Sequence, residues 1–284
     1  MPRLRRVTPL IANVRAQTMQ PCQMCGLPSK LVKAHIIPEA FFRAFRPDGE
    51  SLTLLTSTPG NFPKRAPIGV YDSEILCEPC ERRFDQVDDY GIQVLLTQFH
   101  EYFTEVAPSG APVAYRSMNV NQGQILRFLL AVLWRASVSK HPFFGRVSLG
   151  PLESIARNTL MNPEGEIPQV FAALLSRWTC TDENRSIAQA VMCPFRERWQ
   201  GVNAYRMYLG EVVAYVKVDS QPFTPQLRAH ALPTSPVLTL IIRNLGDSKD
   251  LKSMIRTVRR SDANVKLMRA KIARSRSARA KNAP

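Results

Sequence analysis

The chain has 284 residues, 45% of them hydrophobic and 21% charged, with a formal net charge of +15. That apolar fraction fills a real core, which excludes a disordered polycation. The longest apolar run, 125–134, is broken by Arg127 and too short to span a bilayer, and no secretory apolar core follows the first basic residues, so the expected location is the cytoplasm with no membrane partner.

The charge is uneven. Residues 1–20 hold four basic residues and no acid, residues 249–281 hold twelve basic residues and two acids, and the stretch between is close to neutral. In chain order, 1–20 reads as a flexible basic arm. Residues 21–91 are rich in Cys, Pro and Gly, as in a small module held by metal. Ile92, Leu95, Leu96, Phe99 and Phe103 recur at helical spacing, and a more apolar helix is expected over 122–140. A shorter helix starts near Pro151, and another is expected over 169–178. Residues 187–192, 205–218 and 237–242 are rich in Val, Ile and Tyr and read as strands, with Gly210 turning the second stretch on itself. From 249 a basic helix carries Leu251, Ile255, Val258, Val265, Met268 and Ile272 on one stripe, and the sequence after Arg274 reads as disordered. The expected domains are 1–20, 21–91, 92–248 and 249–284. The fold class is α+β: a zinc-bound ββα or treble-clef module, then helices, a small antiparallel sheet and a basic C-terminal helix.

Cys22-Gln-Met-Cys25 and Cys77-Glu-Pro-Cys80 are two CxxC knuckles, enough for a closed tetrahedral structural zinc site. Gly26 permits the tight turn of the first. Cys180 and Cys193 are single cysteines in apolar sequence. A site of four thiolates has no open position, so this zinc would hold the fold and do no chemistry.

Between the knuckles lies Lys33-Ala34-His35-Ile36-Ile37-Pro38. A CxxC, an apolar-flanked His followed by Ile-Ile-Pro, and an LCxxC leading into a helix together resemble the zinc-stapled HNH nucleases. The run from Cys22 through Tyr90, and LLAVLWRASVSKHPFFGRVSLGP beyond it, look like a bacterial branch of that family. The resemblance implies that His35 is the base that deprotonates water, beside one divalent cation, magnesium or manganese, bound on the hairpin and helix. This chain departs from the pattern. Ala34 stands where many members carry a ligand, the Asn before LCxxC is absent, and Glu81 replaces the closing His. Glu81 and Asp85, four apart on one helix face, are the substitute magnesium ligands, with Asp72 a further candidate. The alternative for Glu81, Asp85, Asp88 and Asp89 is a solvated acidic face, and for His35 a structural hydrogen bond. His100, His141 and His230 read as a boundary residue, a cap of the preceding helix and a loop residue.

The module 21–91 is slightly acidic, so a polyanion would be recruited by the ends. Arg3, Arg5 and Arg6, with Arg256, Arg259, Arg260, Arg269 and Arg274, are the expected nucleic-acid contacts, DNA favoured, positioning the backbone without reading bases. The stripe on 251–272 would dock on the body, on a second copy or on a protein partner. Two functions stand side by side: a metal-dependent HNH-like endonuclease, and a non-catalytic zinc-stabilised module that binds nucleic acid or protein.

Overall fold

The computed structural model describes residues 19–44, 53–54, 64–65, 69–179, 191–252, 254–257, 259–260, 266 and 269. Arg3, Arg5, Arg6, Arg274 and Cys180 lie outside the described residues. Strand β1 (Leu31–His35) pairs antiparallel with β2 (Tyr71–Cys77), with Leu31 opposite Cys77 and His35 opposite Tyr71. Their connection contains α1 (Glu39–Ala44), which buries Phe41 and Phe42. The second knuckle then starts a helical run, as expected: α2 (Glu78–Glu81), a 3-10 turn, α3 (Asp85–Ile92), a π turn and α4 (Phe99–Tyr102). Pro79 suits this start because its missing N–H falls among those left free in a first helical turn.

The central helix α5 (Gln122–Val138) is capped by Asn121, whose side chain accepts the Gln124 N–H at 3.1 Å. It is buried around almost its whole circumference, as its apolar composition demanded. It packs against α3, against α6 (Leu152–Met161) and against the sheet. Pro151 stands one residue before α6, as its N-cap.

The sheet has seven strands. These are β3 (Thr104–Val106), β4 (Ala114–Ser117), β5 (Phe171–Thr179), β6 (Val191–Trp199), β7 (Val202–Leu209), β8 (Val212–Val218) and β9 (Leu238–Asn244). Their order is β6-β7-β8-β5-β9-β4-β3. Every pair is antiparallel except β5 with β9. The small antiparallel sheet is therefore a larger, mixed one. Gly210 turns β7 into β8 with φ 68°, as expected.

The helix expected over 169–178 is strand β5. Phe171, Ala173 and Leu175 face the main apolar cluster while Leu174 and Trp178 face a second cluster on the other side of the sheet. A strand apolar on both faces shows no alternation, and its Ala-Leu-Leu run mimics a buried helix turn. Pairing on both edges overrides the local preference.

The main cluster is continuous from Cys22 to Leu240. Position 91 lies inside α3, so the hairpin module and the helical region share one core. Arg157 on α6 adds a polar tie, its Nε donating to the Met24 carbonyl at 2.6 Å. The crossing of α3 and α5 is tight at Gly91, where a Cβ would lie 2.3 Å from the Phe128 ring. Alanine is the better helix former by about 1 kcal/mol. Gly91→Ala is nonetheless expected to destabilise by about 1–3 kcal/mol, because Phe128 is fully buried and cannot step aside. The urea midpoint reads this directly.

On the far face of the sheet, the second cluster gathers Leu174, Trp178, Tyr208, Tyr215, Phe223 and Leu245. The C-terminal helix, helical at 249–252 and 254–257, adds Met254 and Leu251. Of its expected stripe, Leu251 thus packs on the protein's own body, beside Met254, which the stripe did not include; Val258, Val265, Met268 and Ile272 lie outside the described residues. Among the described residues no helix is long and apolar enough to cross a membrane.

Candidate functional site

The side-chain sulfurs of Cys22, Cys25, Cys77 and Cys80 lie within 4.8 Å of one another, with Cys25 Sγ and Cys77 Sγ 3.9 Å apart. Four sulfurs about 2.3 Å from a tetrahedral zinc stand about 3.8 Å from each other. The set therefore fits a metal ion such as zinc. The first knuckle folds because the Gly26 N–H donates to the Cys22 carbonyl at 2.8 Å, with Gly26 at φ 77°. The second approaches through β2, where the Cys77 N–H donates to Cys22 Sγ at 3.4 Å. Burial pushes the Cys22 thiol up, but backbone N–H groups of Cys25, Cys77 and Met24 outweigh it and bring the thiol down to about 7. Burial, reinforced by the neighbouring Cys22, pushes Cys80 up, and burial does the same to Cys77. Crowded sulfurs resist ionising together, and a divalent cation among them removes that resistance.

Glu81 follows the last cysteine, and α2 carries it to the end of β1. There the His35 backbone N–H is a lowering influence on its carboxyl. Its Oε2 is buried with no hydrogen-bond partner. Burial raises Glu81 to about 7, against the lowering pull of Arg135 and with a smaller push from Asp88 and Asp85. The His35 ring is half-buried and meets Tyr71 edge-on, with centroids 6.1 Å apart. Phe41 stacks on Phe128 and Phe84 on Trp134.

The acidic residues divide. Asp85 and Asp89 are exposed. Asp88 gives both oxygens to Arg135, at 2.7 and 2.8 Å. The Arg135 side chain is 1% exposed and lies 4.6 Å over the Phe84 ring. Asp72 is buried and accepts from Ser139 Oγ at 2.7 Å and from the Lys140 N–H at 2.9 Å, tying β2 to the end of α5. Among the described residues, the four cysteines are the one group of three or more His, Cys, Asp or Glu side chains close enough to share an ion. His35, Glu81 and Asp85 do not form a second.

The Arg135–Asp88 pair escaped the sequence reading. Its signal was an arginine at the end of the most apolar helix, which burial obliges to find a carboxylate. His141 caps the turn that follows it, its Nδ1 accepting the Phe143 N–H at 3.2 Å. His100 is exposed on α4, His230 is exposed, and Cys193 is half-buried. Arg256, Arg259, Arg260 and Arg269 are exposed. No protein-family model, curated protein or solved structure matches this chain.

Proposed function

We propose that this protein is an HNH-like, zinc-stapled endonuclease of treble-clef type that hydrolyses phosphodiester bonds in nucleic acid, with DNA the favoured substrate. One observation carries the reading: Glu81, in the place of the closing His, sits on a helix packed against the strand that ends at His35 and keeps one buried carboxylate oxygen without a partner. The zinc fixes the hairpin and the start of α2, and so sets His35 against Glu81. His35 is the general base: a neutral imidazole takes a proton from the attacking water near neutral pH. Glu81 Oε2 would hold a magnesium or manganese ion, which supplies positive charge for the leaving oxygen. Magnesium is commonly held by one or two carboxylates together with substrate phosphates, so a single free carboxylate oxygen fits a site completed by DNA. Asp85, exposed one turn on, can reach such an ion through water. The basic ends recruit the polyanion.

A second reading has its own support. Asp88 is fully engaged by Arg135, and the described residues offer no third protein ligand. On that reading the scaffold binds nucleic acid or protein and does not cut.

Supercoiled plasmid separates the two. Purified protein is expected to nick it in magnesium or manganese and to stop when those ions are withheld. Salt-sensitive binding with no nicking across divalent metals would leave the binding module standing.

A further inference from the structure

The C-terminal helix is fastened along one side. Ser248 Oγ accepts the Leu251 N–H at 3.1 Å at its start. Asp250, in the first turn, is 3% exposed. Its carboxylate accepts from Arg206 Nη1, from Tyr208 Oη at 2.8 Å and from Arg243 Nη2 at 2.9 Å. Both arginines are themselves held. Arg206 is gripped by Glu197 at 2.6 and 2.7 Å, and Arg243 lies 4.4 Å over Trp178. Leu251 and Met254 press into the apolar cluster beside them. Asp250 also sits where the helix dipole favours a negative charge.

Among the described residues of this helix, the exposed side chains on the opposite side are all cations. Lys249, Lys252, Arg256, Arg259 and Arg260 are all exposed. At about 100° per residue they fall within an arc of about 100°, facing away from Asp250, Leu251 and Met254. The row is about 17 Å long at 1.5 Å per residue. Among the described residues none of the five has an ion-pair partner.

We infer that this row is a preformed binding surface for the sugar-phosphate backbone of duplex nucleic acid, and that Asp250 is the latch that holds it in place. The inference rests on the nucleic-acid reading above and replaces its loose C-terminal arm with a fixed edge. A straight row of cations with no aromatic or apolar residue among them suits a uniform linear polyanion. A protein interface would place aromatic anchors at its centre. Duplex DNA presents one charge per about 1.7 Å of axis, so each of the five finds a phosphate within reach. Holding the row in advance spares the ordering that a flexible arm would lose on binding.

The test uses the full chain and a 20-base-pair duplex, with affinity read by fluorescence anisotropy across a salt series. Leu251→Ala/Met254→Ala leaves the charge unchanged and frees the helix. It is expected to weaken binding about tenfold and to flatten the salt slope. Asp250→Asn removes a negative charge, which simple attraction would reward with tighter binding; the latch requires weaker binding. Lys252→Gln/Arg256→Gln alters only exposed side chains and is expected to lower the log–log slope by about 1.8. Undocked variants that bind as tightly as wild type would overturn the latch while leaving nucleic-acid binding intact. An unchanged slope in Lys252→Gln/Arg256→Gln would overturn the surface. A wild type that binds no duplex at low salt would overturn the nucleic-acid reading itself. Polyglutamate competing as well as DNA would assign the row to an acidic protein and overturn the inference.

Discussion

Replacing Cys80 with serine, or stripping the metal with a strong chelator, is expected to unfold the hairpin module and to lower the melting temperature of the whole chain. The size follows from the bonds lost. A structural zinc contributes about 10–16 kcal/mol to folding at neutral pH in small zinc-bound peptides, and a domain's entire net stability is about 5–15 kcal/mol. The module has little else. Its hairpin is one strand pair of five and seven residues, and a two-stranded hairpin is marginal in water. What apolar surface it buries, through Ile36, Ile37, Phe41, Ile75 and Leu76, it buries against the same cluster as α5. Losing the zinc should therefore loosen α3 against α5 as well. Metal analysis should return one zinc per chain for wild type, and a melt indifferent to chelation would refute the staple.

Arg135→Met is expected to destabilise the protein by about 3–5 kcal/mol at neutral pH, because Asp88 would be left with an uncompensated buried charge. The pH dependence has a definite sign. Burial already raises Asp88, and Arg135 is the principal opposing influence. Without the arginine the folded-state pKa moves further above the unfolded value. A carboxyl raised in this way costs stability above its folded pKa and relieves the cost as it protonates. The gap between variant and wild type should thus narrow as the pH falls. The double variant Arg135→Met/Asp88→Leu should recover most of the loss, since it removes both charges together. Urea midpoints for the four corners of the cycle, at neutral and mildly acid pH, give the answer.

The structure and the sequence agree most closely where chemistry fixes spacing. Two CxxC knuckles admit few arrangements, and Gly26 and Gly210 declare their turns through residue type alone. Helix α5 was visible because its apolar run is too long for a strand. Strand β5 was not, because burial on both faces erases the period of two. Strands β3 and β4 pair through backbone groups in a segment crowded with Pro, Gly and Ser, where side chains say little. The contact between Glu81 and His35 was legible only in part. Spacing put Glu81 at the start of a helix, but its approach to the end of β1 depends on how the two cysteine knuckles come together. The Arg135–Asp88 pair and the Asp250 latch join residues 47 and 44 or 7 positions apart, and pairings of that kind are set by packing.

The most direct measurement is the rate of plasmid nicking in magnesium by wild type beside His35→Ala, with zinc content and melting temperature recorded for both. A general base contributes about 10²–10⁴-fold, so His35→Ala should cut at least a hundredfold more slowly while keeping its zinc and its fold. Equal rates in the two proteins, or no cutting by either, would contradict the assignment of His35 as the base.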